Sequence, residues 1–227
     1  MSPLGLLALS GAAFVATHFA MSHPLRAPMV RGLGERGFTL VYVAVSLITF
    51  YGISKFYGPA SAESPAALWQ AGSAIWILAT LLMWAGSVLF VGSLRRNPAF
   101  PTGGAPVTRI GAPRGVFAIT RHPMMWGFAL WAVVHALVNP TLASLVVSTT
   151  IAILALGGAA GQDVKKQKLI GAPWVEWRAA TAFVPFGKGF ALPDGVAFIG
   201  GTVLWLAATY AHGALGYRPA GVWAFFA

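Results

Sequence analysis

The stretch Leu68-Trp69-Gln70-Ala71-Gly72-Ser73-Ala74-Ile75-Trp76-Ile77-Leu78-Ala79-Thr80-Leu81-Leu82-Met83-Trp84-Ala85-Gly86-Ser87-Val88-Leu89-Phe90-Val91-Gly92-Ser93-Leu94 carries no charged residue before Arg95. About 20 apolar residues in a helix cross the ~30 Å hydrocarbon core of a bilayer, so this run predicts a membrane span. Further apolar blocks lie on both sides: Leu4 to Met21 and Phe38 to Tyr57 before it, and Met124 to Val138, extended backward through Gly115, after it. Thr141 to Ala160 and Val196 to Tyr217 follow. Six spans predict an all-α, polytopic transmembrane bundle.

The composition of the 227 residues agrees: 57% are hydrophobic and 9% charged, against roughly 25% charged in a soluble domain. The absence of cysteine excludes disulfides, zinc-thiolate sites, iron–sulfur clusters and thiolate-ligated haem together. A metal would be held by His, Met or carboxylates.

The formal net charge of +10 would suggest nucleic acid in a soluble protein. Here thirteen of the fifteen basic residues fall in alternate connections: Ser22 to Gly37, Arg95 to Arg121, and Gln162 to Asp194. The exceptions are Lys55 and Arg218. The positive-inside rule makes those three connections cytoplasmic and both termini non-cytoplasmic. The expected setting is a bacterial cytoplasmic membrane, with the lipid bilayer and lipophilic small molecules as partners and no nucleic acid. The first span has Arg26 after it and no Lys or Arg before it, the reverse of a signal peptide, and reads as a retained helix.

The short connection Val138-Asn139-Pro140 predicts that the fourth and fifth spans form an antiparallel hairpin. Gly157-x-x-x-Gly161 permits close helix approach. The stretch from about 162 to 186, with Asp163, Lys165, Lys166, Lys168, Trp174 and Trp177, reads as amphipathic. It can lie on the cytoplasmic leaflet or fold over the mouth of the bundle as a lid. In this reading 1–190 is the main transmembrane domain and 191–227 adds a last helix to the same bundle.

Ionisable groups inside a membrane are costly and are functional candidates. Met124, Phe128, Trp131 and His135 share one face of the fourth span. An apolar, aromatic stripe ending in an imidazole suits a haem pocket, which needs flat walls and a neutral nitrogen ligand. It suits equally a histidine that hydrogen-bonds a neighbouring helix. His18 and His212 are further intramembrane candidates. Arg121-His122-Pro123 opens the fourth span, where free amides favour an anion and an arginine can grip a carboxylate or phosphate. The same arginine could instead anchor the helix end to lipid phosphates.

Four blocks carry a resemblance: His18-Phe19-Ala20-Met21-Ser22-His23-Pro24-Leu25-Arg26, Leu33-Gly34-Glu35-Arg36-Gly37-Phe38, Thr120 through Trp131 with His135, and Val184-Pro185-Phe186. Together they resemble the NnrU family of bacterial membrane proteins, which is associated with denitrification and nitric oxide metabolism. That family is related to plant 15-cis-ζ-carotene isomerases, which use haem b. The resemblance implies His18 and His135 as metal ligands, and redox or isomerase-type chemistry. The isomerases carry a cysteine three residues before the second histidine, where this chain has Ala132.

A more distant resemblance links Arg121-His122-Pro123 with Gly127, and Gly171, Trp174 and Trp177, to isoprenylcysteine and phospholipid methyltransferases. It implies S-adenosylmethionine near Arg121 and His122, although Met125 stands where those enzymes have tyrosine, Asp163 or Gln162 stands near their glutamate, and Trp174 and Trp177 replace two later tyrosines. A non-catalytic factor supporting a reductase is a third reading.

Depth arithmetic bears on the ligand pair. His18 lies five residues from His23 on the inner side, whereas His135 is twelve residues beyond Pro123, or ~18 Å along a helix. Two axial ligands of one haem sit at similar depth. His212 is the depth-matched partner of His135.

Overall fold

A computed structural model describes residues 1–100 and 107–225. The described residues form helices α1 (Pro3–Ser22), α2 (Arg26–Glu63), α3 (Ser73–Ser93), α4 (Val116–Ile119), α5 (Pro123–Val138), α6 (Leu142–Ile170), α7 (Ala172–Ala180) and α8 (Gly195–Ala214), with a short 3-10 turn at Val222–Phe225. The protein is a polytopic helical membrane bundle. Five helices are long and apolar enough to cross a bilayer, and α5 is a shorter apolar sixth.

Local chemistry sets the helix ends. Ser2 caps α1 by accepting from the Gly5 N–H, Thr141 caps α6 through Ser144, and the Asp194 carboxylate accepts from Val196 and Ala197 at the start of α8. Gly34, with φ 70°, kinks α2 ahead of its spanning part, and Gly171, with φ 73°, ends α6 and turns the chain into α7.

The packing order is a row: α2 on α1, α1 on α6, α6 on α5, α5 on α3, and α3 on α8. Small residues make the seams. Gly127 of α5 meets the Gly86 backbone of α3, and Gly201 of α8 lies on the Val88 backbone of α3. On α6, Gly157 seats Phe19 of α1 and Gly161 seats His23, the residue that follows α1. Apolar side chains such as Leu40, Leu47, Ile48, Leu81, Ile199 and Val203 point outward, as faces bathed in lipid do.

The connections after α1, α3 and α6 share one end of the bundle. Contacts there include Arg95 to Asp194 at 3.9 Å, Arg121 to Asp163 at 2.7 Å, and His23 against Gly161. This basic end is opposite the one where the Leu4 N–H donates to Glu63 at 3.0 Å and the Trp69 indole donates to the Leu137 carbonyl at 3.1 Å.

Two sequence expectations differ in detail. The fourth span does not run back unbroken to Gly115: α4 ends at Ile119, Thr120 is extended, and α5 begins at Pro123. Proline disfavours helical backbone at His122, and the freed groups bond across the chain instead. The Arg121 N–H donates to the Ala182 carbonyl at 2.8 Å, and Thr120 Oγ1 donates to the Phe183 carbonyl at 2.6 Å. The stretch 162–186 is not one surface helix. Its first residues continue α6 to Ile170, and α7 folds back so that Trp174 (0% exposed) and Trp177 pack on Val88, Leu89 and Phe117. Of the two arrangements open from sequence, α7 takes the lid.

Candidate functional site

Helix α5 carries chemistry at both ends. At the basic end the break before Pro123 turns Arg121 and His122 inward, toward the last turns of α6. Arg121 grips Asp163 in a fork: Nε donates at 3.1 and 2.9 Å to the two oxygens, and Nη2 donates at 2.7 Å. Arg121 Nη1 donates to the Thr181 carbonyl at 3.2 Å, and the guanidinium lies 5.3 Å from the Phe183 ring centre. His122 Nε2 is 3.0 Å from Asp163 Oδ1, and Arg178 of α7 approaches the same carboxylate at 3.8 Å.

Asp163 therefore gathers three basic groups from two segments, the turn before α5 and helix α7. A 29-residue α6 is ~43 Å long, more than a bilayer core, so Asp163 and the lysines after it lie beyond the spanning part. Burial alone would raise the Asp163 pKa, but hydrogen bonds from His122 and Arg121, with their charges, hold it at about 2. The carboxylate stays ionised at any ordinary pH.

The cluster borders a cavity of about 30 Å³ lined by Arg121, His122, Met124, Met125 and Gln162, among others. Organic cofactors occupy pockets of roughly 300–1,000 Å³. Among the described residues, then, this end offers a small cavity beside a locked ion cluster.

At the opposite end, the last turn of α5 presents His135. Its ring stacks on Trp131 at 3.9 Å between centres, and its Nδ1 bonds to the Trp131 carbonyl at 2.8 Å. His212 of α8 faces it, with ring centres 6.4 Å apart, and His212 Nδ1 bonds to the Ala208 carbonyl at 2.8 Å. In both rings Nδ1 donates to a carbonyl, an arrangement that in a neutral imidazole leaves the Nε2 lone pair for a metal.

His18 is elsewhere. It sits between α1 and α2, with Nδ1 on the Phe14 carbonyl at 2.7 Å, Nε2 3.2 Å from Ser46 Oγ, and Tyr42 and Phe14 against its ring. His135 lies on α5, and α6 stands between α5 and α1 in the row. Phe128 packs edge-on to Phe90 of α3 at 5.5 Å and is otherwise exposed, while Trp131 serves His135 directly. Asp163, Thr181 and Ser46 become site neighbours only through the fold. The sequence signals for Asp163 are its place at the head of a lysine-rich run and its position, with Gln162, near the glutamate of the methyltransferase pattern.

A family profile described as NnrU protein matches residues 6–219. The chain belongs to the NnrU family. No curated protein and no solved structure matches it. In this NnrU-family chain the matched region includes every candidate residue, from His18 on α1 to His212 on α8.

Proposed function

We propose that this NnrU-family protein is a haem b protein of the bacterial cytoplasmic membrane, with its basic connections in the cytoplasm and its termini outside. In this reading it serves redox or isomerase-type chemistry on nitrogen oxides or lipophilic polyenes. The observation that carries the reading is the His135–His212 pair. Two metal–nitrogen bonds of roughly 2 Å put the centres of opposed imidazoles about 6 Å apart, close to the observed 6.4 Å.

The donor set has the right chemistry as well as the spacing. Both Nδ1 atoms are engaged by the carbonyl one turn back, which fixes each ring and leaves Nε2 free. Trp131 stacks on His135 and prevents its rotation. Haem b held by two imidazoles supplies reversible one-electron chemistry. The chain's own contribution is to orient the two rings, His135 partly buried on α5 and His212 exposed on α8. His18, which the resemblance implied as the partner of His135, stands with Ser46 and Tyr42 in this arrangement and is assigned no iron.

The test is an absorption spectrum of detergent-purified protein, oxidised and reduced, for wild type and for His135→Ala, His212→Ala and His18→Ala. The expected result is a low-spin haem spectrum lost in the first two variants and kept in the third. Full haem occupancy in both His135→Ala and His212→Ala overturns the proposal, and loss confined to His135→Ala and His18→Ala replaces the pair.

A further inference from the structure

The function proposed above leaves one buried imidazole unused. The His122 side chain is 1% exposed. Its Nε2 faces a carboxylate, which only accepts, so Nε2 carries a hydrogen. Its Nδ1 is buried and has no partner among the described residues. A buried polar atom without a partner calls for an unseen one.

The cavity that His122 lines shows what such a partner would be. It lies at the first turn of α5, where Met124 and Met125 are also lining residues. The first bond of that turn runs from the Trp126 N–H to the His122 carbonyl, so the amides of Met124 and Met125 precede the helical ladder. Free amides at the start of a 16-residue helix favour negative charge. The charged groups around His122 are Arg121 before it, Asp163 from α6 and Arg178 from α7, two cations to one carboxylate. A cavity of about 30 Å³ admits one or two waters, hence an anion of one to three heavy atoms.

We propose that this cavity binds a small monovalent anion, a halide or a compact oxyanion, together with one proton from solvent that settles on His122 Nδ1. The imidazolium then donates through Nε2 to Asp163 and through Nδ1 to the anion. Neutral His122 presents a bare acceptor there and does not hold the anion.

The experiment is thermal unfolding of detergent-purified protein titrated with sodium bromide or sodium formate at fixed ionic strength, with gluconate as the bulky balancing anion. The midpoint should rise saturably with bromide, formate or both. Which of the two acts identifies the ligand as a halide or an oxyanion. Because one proton enters with the anion, the apparent affinity should fall as pH rises, by up to about tenfold per unit.

His122→Gln is the decisive variant. Its amide reaches Asp163 as Nε2 does and offers nothing at the Nδ1 position, so the saturable rise should vanish. No saturable response in wild type, an equal response in His122→Gln, or a response independent of pH overturns the proposal. Should the variant fail to fold, 15N-histidine spectra of wild type decide: bromide or formate must move one of the five imidazoles to its protonated form, and five unmoved signals overturn it.

Discussion

Replacing Asp163 by Asn keeps the shape of the side chain and removes the charge on which Arg121, His122 and Arg178 converge. Asp163 is 7% exposed and Arg121 10%, so the variant leaves a buried guanidinium without its countercharge, holding the Thr181 carbonyl and a single neutral amide oxygen. Breaking a buried pair by removing one partner costs about 3–5 kcal/mol. For a chain of this length each kcal/mol moves the midpoint by roughly 2–4 °C, so unfolding should begin about 6–20 °C earlier. Tryptophan fluorescence during heating in detergent reads this directly, since Trp174 and Trp177 lie in the α7 lid that Arg178 and Thr181 tie to the cluster. Adding Arg121→Gln to Asp163→Asn removes the stranded charge and should restore at least half of the loss, a coupling that additive effects would not give. The pH dependence is fixed by the depressed pKa of Asp163. Its stabilisation is fully present above the unfolded value of about 3.9 and is lost as pH falls toward about 2, so the Asp163 carboxylate itself adds no pH dependence from about pH 5 to 8. A midpoint change below about 2 °C, or a double variant no better than the sum of its parts, would refute the reasoning.

Trp174→Ala empties a fully buried site between α7 and the α3–α4 core. It should cost about 3–5 kcal/mol and expose the segment from Lys165 to Arg178 to trypsin, which limited proteolysis followed by mass spectrometry would show. Gly201→Val places a branched side chain on the Val88 backbone and should force α8 away from α3. The expected cost is about 1–3 kcal/mol, seen as an earlier thermal midpoint, and an unchanged midpoint would mean that the α3–α8 seam is looser than described.

The spans, the α5–α6 hairpin and the all-helical class were legible because a bilayer demands long uncharged runs and alternate basic connections, and both are local properties of the chain. Where a span begins was less legible. Pro123 can start a helix or kink one, and the sequence does not say that Thr120 and Arg121 have partners at Ala182 and Phe183, some sixty residues away. The same distance hid Asp163, since a carboxylate beside three lysines reads as a solvated face until α7 and the segment before α5 close over it. The position of α7 is not specified locally for a related reason: tryptophans suit both a membrane interface and a packed core, and the sharp turn at Gly171 directs them inward. Among the imidazoles, depth along the helices pointed from His135 to His212, whereas the family motif pointed to His18. Motif spacing carries no information on which helices are neighbours in the row.

That row also explains why the two ends of α5 differ. At the basic end α5 is tied to α6 and α7 by charge, through groups that satisfy one another except at His122 Nδ1, leaving only a water-sized space. At the other end α5 and α8 each pack on α3 rather than on one another, held by Gly127 against Gly86 and by Gly201 against Val88. His135 and His212 thus face each other across a gap whose width is set by a third helix. A flat group entering between them would break no helix seam, and the two rings are already fixed by their own carbonyls. The costs of binding there would fall on desolvation and on small ring adjustments, with the frame prepared in advance, which is the condition under which two imidazoles on separate helices can act as one site.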